Sequence, residues 1–162
     1  MSVSTHVDAN GGARMVDVGE KPETPRRATA SARVKMSAKV AAGIAENTMA
    51  KGDVLAVARI AGIMAAKRTA ELIPLCHPVR LDVVAVDFTL GEGCVDVRAQ
   101  ASAHDRTGVE MEALTAACVA ALTIYDMCKS ADRSIVIEYV RLEEKAGGRS
   151  GHFRRAAADG EP

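Results

Sequence analysis

Residues 79–103 read VRLDVVAVDFTLGEGCVDVRAQASA. In the second half, Val95, Val97, Ala99, Ala101 and Ala103 alternate with Asp96, Arg98, Gln100 and Ser102, the period of two that marks a strand buried on one face. Gly91-Glu92-Gly93 is a strong turn signal, so the stretch predicts two strands, about 79–90 and 94–103, joined directly.

Upstream, RATASARVKM (27–36) repeats the alternation, with Ala28, Ala30, Ala32, Val34 and Met36 on one face. A short helix over about 37–46 should stop near Asn47, a residue that tolerates a left-handed helix end. Lys51-Gly52-Asp53 then opens a longer helix to about Thr69, with Asp53 as N-cap and Val54, Val57, Ile60, Ala61 and Met64 as its apolar stripe. Two prolines stiffen the loop Ile73-Pro74-Leu75-Cys76-His77-Pro78. Downstream, a long helix is predicted over about 108–129 and a last strand over about 134–142. Apart from the short first helix the order is βαββαβ, a ferredoxin-like α+β sandwich on an antiparallel sheet. Residues 1–25, rich in Gly, Asp, Glu and Pro, read as a flexible arm, 26–153 as a single domain and 154–162 as a flexible tail.

Composition narrows the function. Aromatics are 2% and Trp is absent, so no stacking platform for single-stranded nucleic acid is expected. Lys plus Arg (21) equals Asp plus Glu (21), leaving no bulk basic field for DNA or RNA. Cysteines at 76, 94, 118 and 128 form no CxxC and no secreted disulfide framework, which suits a reducing cytosol. No apolar signal-peptide region stands at the start, and the longest uncharged stretch, Ala113–Tyr125, falls short of the roughly 20 residues of a membrane span. A cytoplasmic protein without membrane or nucleic-acid partners is the expectation. The same stretch carries no charge on any helix face, although a sandwich helix should meet water on one side. That pattern predicts a homo-oligomer.

Several charged groups are candidates for chemistry, each with a structural alternative. Thr107 and Glu110 have capping-box spacing, and Glu112 suits the positive end of the long helix. Asp126 and Lys129 lie on one face at its far end and would otherwise be an exposed ion pair. Glu112 and Asp126 are 14 residues apart, roughly 21 Å along a continuous helix, so either two clusters exist or a pocket is completed across subunits. Lys51 beside Gly52, just before a helix, suits an anion or is a solvated loop lysine. His77 sits in a loop stiff enough to position an imidazole. Lys67 and Arg68 either favour a helix C-terminus or steer an anion. No GxxxxGK[ST] phosphate loop and no set of metal ligands at zinc spacing is present.

The blocks Met15–Val18, KGDVLAVARIAGIMAAKRTAELIPLCHPV (51–79), TGVEMEALTAACVAALTIYDMCK (107–129) and VRLEEKAGGRSGHF (140–153) closely resemble the C-protein family of molybdenum cofactor biosynthesis, over about residues 5–153. The resemblance implies a ferredoxin-like fold assembled as a hexamer, a trimer of dimers, with active sites near the dimer interface. It implies a lyase that converts 3′,8-cyclo-7,8-dihydro-GTP into cyclic pyranopterin monophosphate with release of pyrophosphate. Family active-site positions fall on Lys51, His77, Glu110, Glu112, Asp126 and Lys129, with Cys76 and Met111 beside them in the substrate-binding motifs. Arg26, Lys67 and Arg68 match positions assigned to phosphate contact. Lys51 and Lys129, with lowered pKa, would be the acid/base pair, Asp126 would orient Lys129, and Glu110 and Glu112 would hold the guanine-derived ring. No tightly bound cofactor is implied; magnesium would enter, if at all, with the triphosphate. Where relatives read GGKSGDF, this chain has Gly147-Gly148-Arg149-Ser150-Gly151-His152-Phe153, which puts the roles of Arg149 and His152 in question. The rival readings are a ferredoxin-like module that binds an anion and catalyses nothing, and a purely structural oligomer.

Overall fold

The computed structural model describes residues 10–149 and 151–156. Its elements are β1 (Thr24–Lys35), α1 (Ala38–Ala45), α2 (Val54–Ala66), α3 (Thr69–Leu72), β2 (Val83–Gly91), β3 (Cys94–Asp105), α4 (Glu110–Cys128), β4 (Val136–Ala146) and β5 (Phe153–Arg154). The sheet order is β2-β3-β1-β4-β5, with every neighbouring pair antiparallel. Strands β4-β1-β3-β2 interleave two split βαβ units, the ferredoxin-like α+β arrangement.

The strand alternation translates directly into burial. Ala28, Ala30, Ala32 and Val34 of β1, and Val95, Val97, Ala99 and Ala101 of β3, are at most 1% exposed, and all face the helices. The expected hairpin forms with Gly91 opposite Cys94. Helix α4 lies across β1, β3 and β4, and α2 packs on α4 and β2. By length and composition α4 is apolar enough to cross a membrane, but Ala113, Ala116, Ala117, Ala120, Ala121 and Ile124 are buried inside the domain.

Helix α2 is capped as its sequence predicts: the Ala56 amide donates to Asp53 Oδ1 at 2.9 Å. Its buried face matches the predicted stripe at Val54 and departs from it beyond. Val57, Ile60 and Met64 are 47%, 58% and 51% exposed, while Val54, Ala58, Gly62, Ala65 and Ala66 are buried. The cause is close helix contact. A Cβ on Gly62 would stand 2.9 Å from the Ala116 carbonyl oxygen and 3.3 Å from the Ala120 methyl, so only the small stripe fits against the alanine face of α4.

Parts of the predicted arm and tail make contacts with the domain. Within the predicted arm, residues 10–23 are tied down by Arg106, whose Nη1 donates to the Gly19 carbonyl at 3.1 Å and whose Nε is 3.7 Å from Glu23. Within the predicted tail, Arg154 belongs to β5, and the Arg155 amide donates to the Glu143 carbonyl at 2.8 Å. His152 Nε2 lies 2.6 Å from Glu144 Oε1, a hydrogen-bonding contact between β4 and the segment leading to β5. The remainder of those predictions, 1–9 and 157–162, lies outside the described residues.

Gly62→Val should destabilise the protein by about 1–3 kcal/mol through overpacking against Ala116 and Ala120. Urea unfolding at fixed protein concentration measures it; an unchanged midpoint would show that the helices do not meet at Gly62.

Candidate active site

Most of the predicted site residues gather at the two ends of α4. At the C-terminal end, Lys51, which precedes α2, donates from Nζ to Asp126 Oδ2 at 3.0 Å and to the Asp126 carbonyl at 2.8 Å. Lys129 Nζ is 2.7 Å from Asp126 Oδ1. One carboxylate therefore holds two ammonium groups. The hydrogen bonds from Lys129 and then Lys51 keep the Asp126 carboxyl below the usual carboxylate range. The same contact raises the Lys129 pKa, which corrects the expectation of a lowered one. In the single chain the Lys51, Asp126 and Lys129 side chains are 44%, 58% and 54% exposed, so desolvation is too slight to offset the carboxylate.

At the N-terminal end, Cys76, His77, Glu110, Met111 and Glu112 share a cleft of about 340 Å³. The loop after α3 delivers the first two, turning through a 3.1 Å bond from the Cys76 amide to the Ile73 carbonyl. Glu112 is 4% exposed. Desolvation pushes its pKa from the ordinary 4.5 to about 7, opposed by a hydrogen bond from its own amide and assisted by the charges of Glu110 and Asp105. Burial, with the Glu112 charge second, raises the Cys76 thiol.

The predicted capping box does not form. Val109 is the N-cap, without a side-chain cap, and Glu110 Oε1 turns instead to Lys145 Nζ at 3.6 Å. An adjoining cleft of about 500 Å³ contains Arg26 and shares Lys21, Thr107, Gly108 and Glu110 with the first. Lys67 and Arg68, at the α2–α3 junction, are exposed and line neither cleft.

Arg149, whose role the sequence left in question, lines this joint cleft, and Lys21 and Arg106 line it without having been singled out from the sequence. Nor were Val16 and Val18, which form part of the smaller cleft's wall. The resemblance block Met15–Val18 was their only signal. Helix α4 is continuous, which places Glu112 and Asp126 about 21 Å apart along its axis.

A family model described as the MoaC family matches residues 15–148, a span containing both clusters. The chain belongs to the MoaC family. It is 58% identical to the cyclic pyranopterin monophosphate synthase of Thermomicrobium roseum over 157 residues, 96% of this chain and 95% of that one. It is 56% identical to cyclic pyranopterin monophosphate synthase 3 of Mycobacterium tuberculosis over 161 residues, 99% of this chain and 91% of the relative. The enzyme of that name in Heliobacterium modesticaldum is 55% identical over 157 residues, 96% of this chain and 99% of its own.

Glu112 yields a pH prediction. The folded state keeps its proton up to about pH 7, whereas an unfolded chain releases it near 4.5. Stability should therefore fall as pH rises between those values, by about 3 kcal/mol at most at 1.36 kcal/mol per unit. Glu112→Gln should match the wild type near pH 4.5 and exceed it at pH 8. Urea titrations at both pH values test this; an equal difference at both would exclude a buried neutral carboxyl.

Proposed function

We propose that this chain converts 3′,8-cyclo-7,8-dihydro-GTP into cyclic pyranopterin monophosphate and pyrophosphate, a lyase step of molybdenum cofactor biosynthesis. The observation that carries the reading is the convergence of Lys51 and Lys129 on Asp126, from segments 75 residues apart, in a chain 55–58% identical to relatives bearing that enzyme's name.

Closing the cyclic phosphate requires a sugar hydroxyl in line with the α-phosphorus. The hydroxyl oxygen forms the new P–O bond, its proton passes to a base, and the bond to pyrophosphate breaks. Lys129, kept protonated by Asp126, is suited to donate a proton or to neutralise developing charge. Glu112, titrating near 7, is suited to exchange protons with the rearranging ring, while Glu110 and His77 line the same cleft. Magnesium would accompany the triphosphate.

The two clusters are too far apart to act on one small substrate within a chain. The reading therefore places each site between subunits of a hexamer, a trimer of dimers, with one subunit supplying Glu112 and its neighbour Lys51, Asp126 and Lys129. The exposure of the lysine cluster and of Val57, Ile60 and Met64 supports this, because both would be covered on assembly. A cytoplasmic location follows from the nucleotide substrate, and the four free cysteines suit it.

Purified protein given the cyclised nucleotide should release one pyrophosphate per pterin formed. No pyrophosphate would favour a binding module. Lys129→Ala and Asp126→Asn should lower turnover by about 10²-fold or more; wild-type turnover in Lys129→Ala would refute its role. Co-expressing Glu112→Gln with Lys129→Ala should restore about a quarter of wild-type activity if the sites are shared, since random mixing leaves that fraction intact. No recovery would place both residues in one subunit.

A further inference from the structure

Asp132 follows Lys129 by three residues, belongs to neither cluster, and reaches a group 95 residues away in the chain. Its Oδ2 accepts from the Ser37 amide at 2.8 Å. Its Oδ1 accepts from the amide and the hydroxyl of Ser134, at 2.8 and 2.6 Å. Both carboxylate oxygens are thus engaged, and the group is fixed in plane and direction. Led by the Ser134 hydroxyl, these bonds hold the Asp132 pKa down to about 2, so the carboxylate is ionised at any working pH. Ser37 is the N-cap of α1, and its own side chain makes no capping bond. A carboxylate from the segment after α4 stands beside that helix end instead, where the dipole favours negative charge.

From each side of this contact a hydrogen-bonded run of chain leads to the lysine cluster. On one side, the Ala131 and Asp132 amides donate to the Cys128 carbonyl at 2.9 and 3.2 Å, and the Lys129 amide donates to the Tyr125 carbonyl at 2.9 Å. On the other, α1 passes into successive turns. The Glu46 amide donates to Ala42, the Thr48 amide to Gly43 and the Gly52 amide to Met49, at 2.9, 2.9 and 3.0 Å. Asn47, at φ 54°, turns the chain between them, and Lys51 follows. Asp132 therefore ties the segment that delivers Lys51 to the one that carries Asp126 and Lys129. Lys129 is the C-cap of α4, and helix ends are where a chain frays first.

We propose that the contact between Asp132 and the Ser37 amide is a clasp that positions the Lys51 and Lys129 ammonium groups about Asp126, making Asp132 a positioning residue for the reaction. It rests on the reading above for the reaction, and on the geometry alone for the clasp. Both lysine side chains are long and exposed, so Asp126 keeps them in register only while the turn that follows it is fixed. Misplacing such groups by about 1 Å can cost about 10²-fold in rate.

Two substitutions open the clasp from opposite sides. Asp132→Ala removes the acceptor, and Ser37→Pro removes the donor without straining the backbone, because the φ of −66° at Ser37 is one that proline adopts. Each should lower kcat on the cyclised nucleotide by about tenfold or more and leave KM within about threefold. Arg133→Ala, at the exposed neighbour, should change neither. In a Lys129→Ala background, Asp132→Ala should cause no further loss, since residues that act through one another are not additive. The second readout is the titration of Lys129, followed by NMR on full-length protein carrying 13C-methylated lysines, with its signal assigned by its loss in Lys129→Arg. Asp126 holds that pKa above the ordinary 10.5, and in both clasp variants it should move down toward it. An unshifted Lys129 titration in both variants would overturn the proposal, as would an equal loss from Asp132→Ala with and without Lys129. The two readings fail separately. A wild type without turnover, whose Lys129 signal still shifts in the variants, would sink the enzymatic assignment alone. Normal turnover with an unshifted Lys129 would sink the clasp alone.

Discussion

The contact between Gly62 and the Ala116–Ala120 face of α4 sets the geometry on which both candidate clusters depend. Two helices can approach this closely only where neither presents a side chain larger than a methyl group, and the alanine-rich sequence supplies such a stripe on each. Because α2 and α4 run in opposite directions, the start of one lies beside the end of the other. Lys51, just before α2, is thereby carried to Asp126 and Lys129 at the end of α4. The loop after α3 is carried to the first turn of α4, where Cys76 and His77 meet Glu110 and Glu112. Looser packing with larger side chains would shift both ends together.

The two ends then treat a carboxyl group in opposite ways. Asp126 is solvated and gripped by two ammonium groups, so its proton is lost far below neutrality. Glu112 is enclosed beside other acids and keeps its proton to about pH 7. One fold thus offers a permanently charged holder of cations and a carboxyl able to change state under working conditions. Environments that drive two acids apart in this manner are what acid–base chemistry at neutral pH requires.

The strands were legible because a period of two is imposed by one-sided burial, and β1 and β3 obey it residue by residue. The α2 face was not, because hydrophobicity ranks Ile60 and Met64 above Ala58 and Gly62, whereas the interhelical gap admits only the latter. The capping box, the structural alternative for Glu110, fails for a similar reason: local spacing allows it, but Lys145, brought close by β4, competes for the carboxylate. Lys51, Asp126 and Lys129 were recognisable through long motifs. Lys21 and Arg106 were not, since their meeting depends on where the N-terminal segment crosses the end of β3.

The exposure of the lysine cluster limits what it can do electrostatically in the single chain. In water, two unit charges 4 Å apart interact by only about 1 kcal/mol, a small contribution against a barrier for phosphoryl displacement. The same ammonium groups gain several-fold once the surrounding dielectric falls, and a fixed Asp126 then spares them reorganisation during reaction. A cluster with more than two-fifths of each side chain in water therefore needs a cover before it becomes a strong electrostatic device. The fold supplies no such cover from its own described residues, while it leaves Val57, Ile60 and Met64 of α2 facing outward. A second subunit seated on that face would supply such a cover, which is why the proposed shared site and the exposed cluster stand or fall together.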